Sequence, residues 1–318
     1  MTLDARTVAG TRIVRLPAVI RGEIVMPPWP RVGDVRLAVA ERGAHHVQGT
    51  GDDGCYLIGR PVVDRDSLAL TGETQVLVLP APHPSALLEP DPAGALLELA
   101  RTPVPEVLSF VDAIGRALLA GSPEAGEAGA LLAETSLVAD RAHRAFLAQL
   151  PALFDGDAVG RMIERDLGTG PLDTWREVGE TPVSGMTARL AGHAREAPPA
   201  LRALPTRQLH LTAGNAPVVP VVSLLWAWAT KGAGVIKPAA EAAALVVALG
   251  TALRDTDPGH PLARHTTLAY WRGGDRRVET ALFADGAFDR RVVWGSAETS
   301  NTPIPSSASR RTTAYSSA

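Results

Sequence analysis

The sequence predicts an α/β protein: a doubly wound, Rossmann-type parallel sheet with helices on both faces, preceded by a β-rich N-terminal region. Two observations predict it. After Pro205, short apolar runs of strand length alternate with longer runs of helical spacing, and strands joined by helices run parallel. Before Pro92, short apolar runs are cut by Gly, Pro and Asp, the punctuation of strands and turns.

Four regions follow, 1–92, 93–205, 206–299 and 300–318. In the first, Arg12 to Ile20, Val35 to Ala40, Tyr56 to Val63 and Gln75 to Leu79 are expected strands, and the proline-dense stretch from Ala81 to Pro92 is a linker or extended crossing. In the second, Leu, Val, Phe and Ala recur every three or four residues over Ala93 to Ala100, Val107 to Leu119, Gly126 to Leu150, Asp157 to Asp166 and Met186 to Ala194. That spacing predicts helices. The third is expected to run strand (Gln208 to Thr212), tight loop (Ala213 to Ala216), helix (Pro217 to Lys231), strand (Gly234 to Lys237) and helix (Ala239 to Arg254). A strand (Thr266 to Tyr270), a helix (Val278 to Phe283) and a strand (Arg290 to Trp294) complete it. The tail, rich in Ser and Thr and nearly free of large apolar side chains, is expected to lack structure.

Composition removes several function classes. At 318 residues and a net charge of −3, the chain has core enough for two ordinary domains or one large one and no basic stripe to follow a nucleic acid. The N-terminus shows no cationic stretch followed by an apolar run, so a cytoplasmic protein is expected. Val218 to Ala229 is apolar but far shorter than the ~20 residues a bilayer requires, and reads as a buried helix rather than a membrane span. No CxxC or HExxH spacing is present to hold a metal, and no GxSxG elbow or phosphate loop supports a hydrolase or NTPase. The adjacent His45 and His46 point to opposite faces of a strand, and His210 packs within its own. The single cysteine, Cys55, reads as a strand residue whose thiolate is suppressed by Asp52 and Asp53.

Three features remain at one edge of the expected sheet. Asn215 lies beside a helix N-terminus, where its amide either caps the helix or, with neighbouring backbone N–H groups, faces a phosphate or a developing oxyanion. Lys237 ends the next strand and delivers an ammonium group to the carboxyl edge, where a nucleotide ribose or its phosphate sits in such sheets; a solvated strand terminus is the plainer use. Gly295 and Ser296 end the last strand in a small turn that permits close approach of a pyrophosphate or nicotinamide ring.

Taken in order, HLTAGNAPVVPVVSLLWAWATKGAGVIKPAAE and YWRGGDRRVETALFADGAFDRRVVWGSAET resemble the aldehyde dehydrogenase superfamily. Within it they are most similar to the acyl-CoA reductases of the luminescence-type fatty acid reductase family. The resemblance implies an aldehyde dehydrogenase-like fold and reduction of a fatty acyl-CoA to the aldehyde by a nicotinamide cofactor. It makes Asn215 an oxyanion donor. It places Ala213, Gly214, Lys237, Pro238, Gly295 and Ser296 at the cofactor. Acyl-CoA as substrate, and a homo-oligomer or a partner enzyme of a fatty acid reductase complex, follow as expected partners.

Two departures qualify it. Many NAD-using members carry a glutamate three residues after the lysine, where this chain has Ala240, with Glu241 one place later. A missing carboxylate removes repulsion against a 2′-phosphate, so NADPH is the expected cofactor. The family nucleophile is also a cysteine several dozen residues beyond the Gly-Ser turn, and none follows here. The catalytic domain is therefore expected to be missing, the chain inactive, and the family pattern to stop near Thr299. A non-catalytic nucleotide-binding or oligomerising protein is the alternative, and a second polypeptide supplying the cysteine a third.

Overall fold

The chain is seen in a computed structural model that describes residues 4–8, 10–41, 44–47, 54–64, 67, 69–120, 148–168, 170–177, 200–212, 218–295 and 312–315. Its strands are β1 (Asp4–Val8), β2 (Thr11–Arg15), β3 (Ala18–Ile20), β4 (Glu23–Val25), β5 (Ala44–Val47), β6 (Cys55–Val63), β7 (Leu70–Pro80), β8 (Arg176–Glu177), β9 (Ala200–Leu201), β10 (Arg207–Leu211), β11 (Ala233–Lys237), β12 (Thr266–Leu268), β13 (Arg290–Trp294) and β14 (Thr312–Tyr315).

A seven-stranded sheet runs β14-β13-β10-β11-β12-β3-β4, and a five-stranded sheet runs β1-β2-β7-β6-β5. The strands β13, β10, β11 and β12 pair in parallel, as the strand and helix alternation requires, and β14 adds a further parallel strand to β13. Short runs such as Ala233–Lys237 are almost wholly buried, which suits a strand covered on both faces. Gln208 and Arg290 are opposed in the ladder and so share a face, while Arg291 points the other way. Gln208 bonds to Thr230 behind the Val219–Ala229 helix, whereas Arg291 donates to the carbonyls of Phe283 and Ala284 behind the Arg276–Leu282 helix. Helices therefore lie on both faces.

The Val219–Ala229 helix is apolar on nearly every side because it sits inside the molecule. Trp228, 1% exposed, donates its indole N–H to Thr266 Oγ1 at 2.9 Å and meets the rings of Phe110 and Phe154. The helix begins two residues later than expected, with Pro220 in its first turn. The single helix expected over Ala239 to Arg254 is divided into a short 3-10 turn, Ala240–Ala242, and the Leu245–Thr256 helix.

Other differences have local causes. Val35 to Ala40 lies in a helix, Val32–Glu41: its apolar residues bury at three-residue spacing, Val35 and Ala38, while Arg36 and Leu37 face outward. The apolar run from Arg12 to Ile20 is two strands in different sheets, and the second begins a hairpin that closes the edge of the larger sheet. Its turn, Arg21 and Gly22 with φ of 49° and 78°, is the left-handed pair that two-residue hairpins favour. Gly250 lets the Leu245–Thr256 helix come close, since a Cβ there would lie 2.8 Å from Val19 Cγ2. The tail is not wholly without structure either: Thr312–Tyr315 adds a parallel edge strand to β13, where ladder hydrogen bonds and Thr and Tyr propensity substitute for an apolar run. The helices expected over Gly126 to Leu150 and Met186 to Ala194 lie outside the described residues, apart from a helical turn at residues 148–150.

Two polar contacts tie the helical section to the sheet. Lys231, 1% exposed, follows the C-terminus of the Val219–Ala229 helix in a left-handed conformation, φ 54°. Its ammonium donates to the carbonyl of Leu172 at 3.0 Å and to the carboxylate of Asp173, which also accepts from the backbone N–H of Val104 at the start of the Val104–Ala120 helix. At the other contact, His265 Nδ1 lies 3.0 Å from Glu89 and Nε2 lies 3.0 Å from Glu98. Both nitrogens can donate to carboxylates only when the ring is an imidazolium.

Removing Asp173 strands the buried ammonium and frees a helix N-terminus. Asp173→Ala should therefore lower unfolding stability by about 3 kcal/mol or more in denaturant titration, and Lys231→Met by less. For His265, burial works against the charged ring, but the two glutamates outweigh it and raise the pKa above the ordinary 6.5. A folded-state pKa raised above the unfolded one gives stability that is complete below about 6.5 and is lost as pH rises through the folded value. The stability difference between the natural protein and His265→Gln should therefore shrink from pH 6 to pH 9. A difference that stays constant would remove the charged pairing.

Candidate functional site

The order of the parallel strands places a site. From β10 the chain steps to β11 and then β12 on one side, while β13 lies on the other side of β10. The strand order therefore reverses between β10 and β13, the topological switch point where sheets of this class bind dinucleotides. Arg207, at the start of β10, fixes the pairing from below: its guanidinium takes both carboxylate oxygens of Asp289, just before β13, at 2.8 and 3.1 Å.

At the carboxyl edge, Thr212 donates both its backbone N–H and its hydroxyl to the carbonyl of Lys237, at 3.1 and 2.8 Å, binding the ends of β10 and β11 together. Lys237 Nζ lies 5.2 Å from the ring centre of Tyr270 and 5.6 Å from that of Trp271, which follow β12. Such placement over aromatic faces holds an ammonium electrostatically. Pro238 continues directly from it, and Gly295 follows the last residue of β13 across the switch point. The structure thus brings Lys237, Pro238 and Gly295 to one edge. Ala213, Gly214, Asn215 and Ser296 lie outside the described residues, as does the side chain of Glu241. A dinucleotide suits this donor set: a cation at the end of the second strand, a glycine at the end of the fourth, and alanine at position 240.

Tyr270 and Trp271 were visible in the sequence as the first residues of the YWRGG segment, without a role. Tyr56 carried no signal at all. It comes from β6 in the other sheet, meets Tyr270 edge-on at 5.5 Å, and donates its hydroxyl to Asp275 at 2.6 Å. Burial opposes the charge of Asp275, but hydrogen bonds from Arg277 and Tyr56 prevail and hold its carboxyl at about 2.

A cavity of about 500 Å³ opens elsewhere, on the sheet face beside Gln208, His210, Trp226 and Val292. It lies along the strands rather than at their carboxyl ends. His210 in its wall is a packed strand residue, as expected: Gln208 donates its amide to Thr206 and Thr230 and accepts from His210 Nε2 at 3.0 Å, and burial lowers the ring's pKa to about 4. His45 and His46 pair with Leu57 and Tyr56 in the ladder, on successive and therefore opposite positions. No cluster of metal-ligating side chains occurs among the described residues.

The family model for acyl-CoA reductases (LuxC) matches residues 99–312, two thirds of the sequence. The chain belongs to the acyl-CoA reductase (LuxC) family. The match continues past Thr299, where the family pattern was expected to stop. Long-chain acyl-protein thioester reductases are among the relatives. That of Photorhabdus laumondii subsp. laumondii is 31% identical over 96 residues, covering 30% of this chain and 20% of the relative. That of Vibrio harveyi is 32% identical over 97 residues, with the same shares. Among solved structures, 3,6-anhydro-L-galactose dehydrogenase in complex with NAP superposes with a TM-score of 0.59 at 12% identity, over 94% of this chain and 51% of that one. Lactaldehyde dehydrogenase from Escherichia coli gives 0.57 at 15% identity over the same shares. The aligned part spans about a fifth of the curated relatives and about half of these structures. The fold is that of the aldehyde dehydrogenases.

An acyl-CoA reductase (LuxC) chain with one cysteine invites a test of that residue. Cys55 opens β6 at 2% exposure, and burial, with the charge of Asp34, raises its thiol pKa to about 11. Burial is the larger cause; Asp52 and Asp53, expected to act on it, lie outside the described residues. Iodoacetamide at pH 8 should leave the native thiol unmodified and modify it in urea, read by mass. Rapid modification of the native protein would contradict this reading.

Proposed function

We propose that these residues bind NADPH at the switch point between β10 and β13 and belong to a reductase that converts a fatty acyl-CoA to its aldehyde. Lys237 carries the reading: an ammonium held at the end of β11 with alanine, not a carboxylate, three residues on. A carboxylate there accepts from ribose hydroxyls and repels a 2′-phosphate; its absence beside a lysine favours the phosphorylated ribose. Gly295 and Ser296 line the path of the phosphates and the nicotinamide. Ala213 and Gly214, which follow β10 in sequence, provide backbone to the cofactor. Asn215 supplies an amide to the thioester oxygen as it gains negative charge, a contact worth about 3 kcal/mol in comparable sites. The bound cofactor supplies hydride.

Covalent attack is a different matter. A thiolate nucleophile must ionise near neutral pH, and Cys55 is held far from that. These 318 residues therefore bind and orient, and the covalent step belongs to a cysteine they do not contain. This observation also supports the second reading, a nucleotide-binding module without chemistry of its own.

Quenching of tryptophan fluorescence should show NADPH binding about tenfold more tightly than NADH, the size expected of one charge-assisted contact. The same protein mixed with a long-chain acyl-CoA and NADPH should form no aldehyde. Equal or tighter binding of NADH would remove the 2′-phosphate from the proposal. Aldehyde formation would overturn the assignment of chemistry elsewhere.

A further inference from the structure

We infer that Tyr56, a residue of the five-stranded sheet, is a positioning residue for Lys237, clamping at both ends the loop that presents the aromatic wall to the ammonium. The inference rests on the cofactor reading for its functional meaning, and on geometry for its existence. Ladder pairing of β12 ends at Leu268, and Ala269 makes one further backbone bond, to Ile236 at 3.2 Å. From Tyr270 to Asp275 the chain crosses Gly273 and Gly274, the latter at φ 81°, and the far half of this loop is a bonded turn: Asp275 N–H donates to the carbonyl of Arg272 at 3.1 Å and Gly274 N–H to Glu279 Oε1 at 2.9 Å, while the aromatic pair precedes it.

Tyr56 holds both of its ends. Its ring meets Tyr270 at 5.5 Å and 90°, an edge-to-face contact, and its hydroxyl reaches Asp275 Oδ2 at 2.6 Å. Asp275 caps the Arg276–Leu282 helix, accepting from the backbone N–H of Arg277 at 3.1 Å, so the far end of the loop is anchored to a rigid element. Tyr56 is fully buried and paired in the ladder with Leu79, which makes it a fixed post. The first anchor, Tyr270, and its neighbour Trp271 are the two rings nearest Lys237 Nζ, at 5.2 and 5.6 Å from their centres. Tyr56 falls outside the matched residues 99–312, so the support comes from a part of the chain that the family match does not reach.

The composition of the chain makes the inference measurable. It contains two lysines, Lys231 and Lys237, and Lys231 is buried in its ion pair. Reductive methylation with ¹³C-formaldehyde keeps the charge and gives Lys237 an NMR signal, assigned by its loss in Lys237→Arg. In the full-length protein that signal should lie upfield of an exposed dimethyl-lysine because of the two rings. It should move toward the exposed value in Tyr56→Leu, which removes ring and hydroxyl, and part of the way in Tyr56→Phe, which removes only the hydroxyl.

Binding provides the functional arm. Tyr56→Leu should weaken NADPH binding about 3- to 10-fold, the range expected from losing a cation–π placement, and Tyr56→Phe by less. In a Lys237→Met background neither change should cost anything further, an outcome that general loosening of the fold would not give. Tyr56→Phe keeps the buried volume and serves if the leucine variant does not fold. A Lys237 signal unmoved by either substitution, or the same loss of binding with and without Lys237, would overturn the clamp. If the natural protein binds neither dinucleotide, the cofactor reading fails on its own, and the Lys237 signal still decides whether Tyr56 sets its position.

Discussion

A single buried ammonium organises the junction on which the sheet depends. Lys231 occupies the position after a helix where glycine is the usual residue, because the left-handed backbone there costs a side-chain-bearing residue about 1 to 3 kcal/mol. What offsets the cost is reach: from that position the side chain touches both Leu172 and Asp173, and Asp173 in turn holds the start of the Val104–Ala120 helix. Three segments distant in sequence are thus fixed at the point where the chain turns from its buried helix into β11. Of 31 basic residues two are lysines, and this is one of them. A compact ammonium can take a carbonyl and a carboxylate in a confined space where the planar fork of arginine needs more room.

The same junction sets the geometry of the opposite edge. β11 begins two residues after Lys231 and ends at Lys237, five residues of rigid parallel strand. The first lysine anchors the strand's entry; the second presents charge at its exit. Packing and edge are in this sense one structure read from two ends, and the helical section anchors the strand that carries Lys237.

How much of this was legible depended on how local the cause was. The strands and helices after Pro205 were legible because each is a run of one period bounded by Gly or Pro, and their parallel pairing follows from the connections alone. Lys237 and Gly295 were legible as edge residues for the same reason: a residue at the end of a parallel strand has its place fixed by the strand. Val35 to Ala40 was not, since six residues are too few to separate a helix from a strand by spacing. The partner of β3 was not either, because nothing near Val19 indicates Leu268. Tyr56 illustrates the limit most clearly. Its importance lies wholly in what stands 214 and 219 residues further on, at Tyr270 and Asp275, and no local pattern encodes such a meeting.

The hairpin of β3 and β4 carries a consequence for how the molecule is made. It closes the edge of a sheet whose adjoining strand, β12, is nearly 250 residues later in the chain, with Arg21 bonded to Thr267 across a separation of 246. During vectorial synthesis at about 5 to 20 residues per second, the hairpin waits on the order of tens of seconds with its pairing edge uncovered. Long-range closure of this kind raises contact order and slows folding. The hairpin is therefore made early and placed late, and a nascent chain held at a length between the hairpin and β12 is one that a chaperone, or another unpaired edge, can still capture.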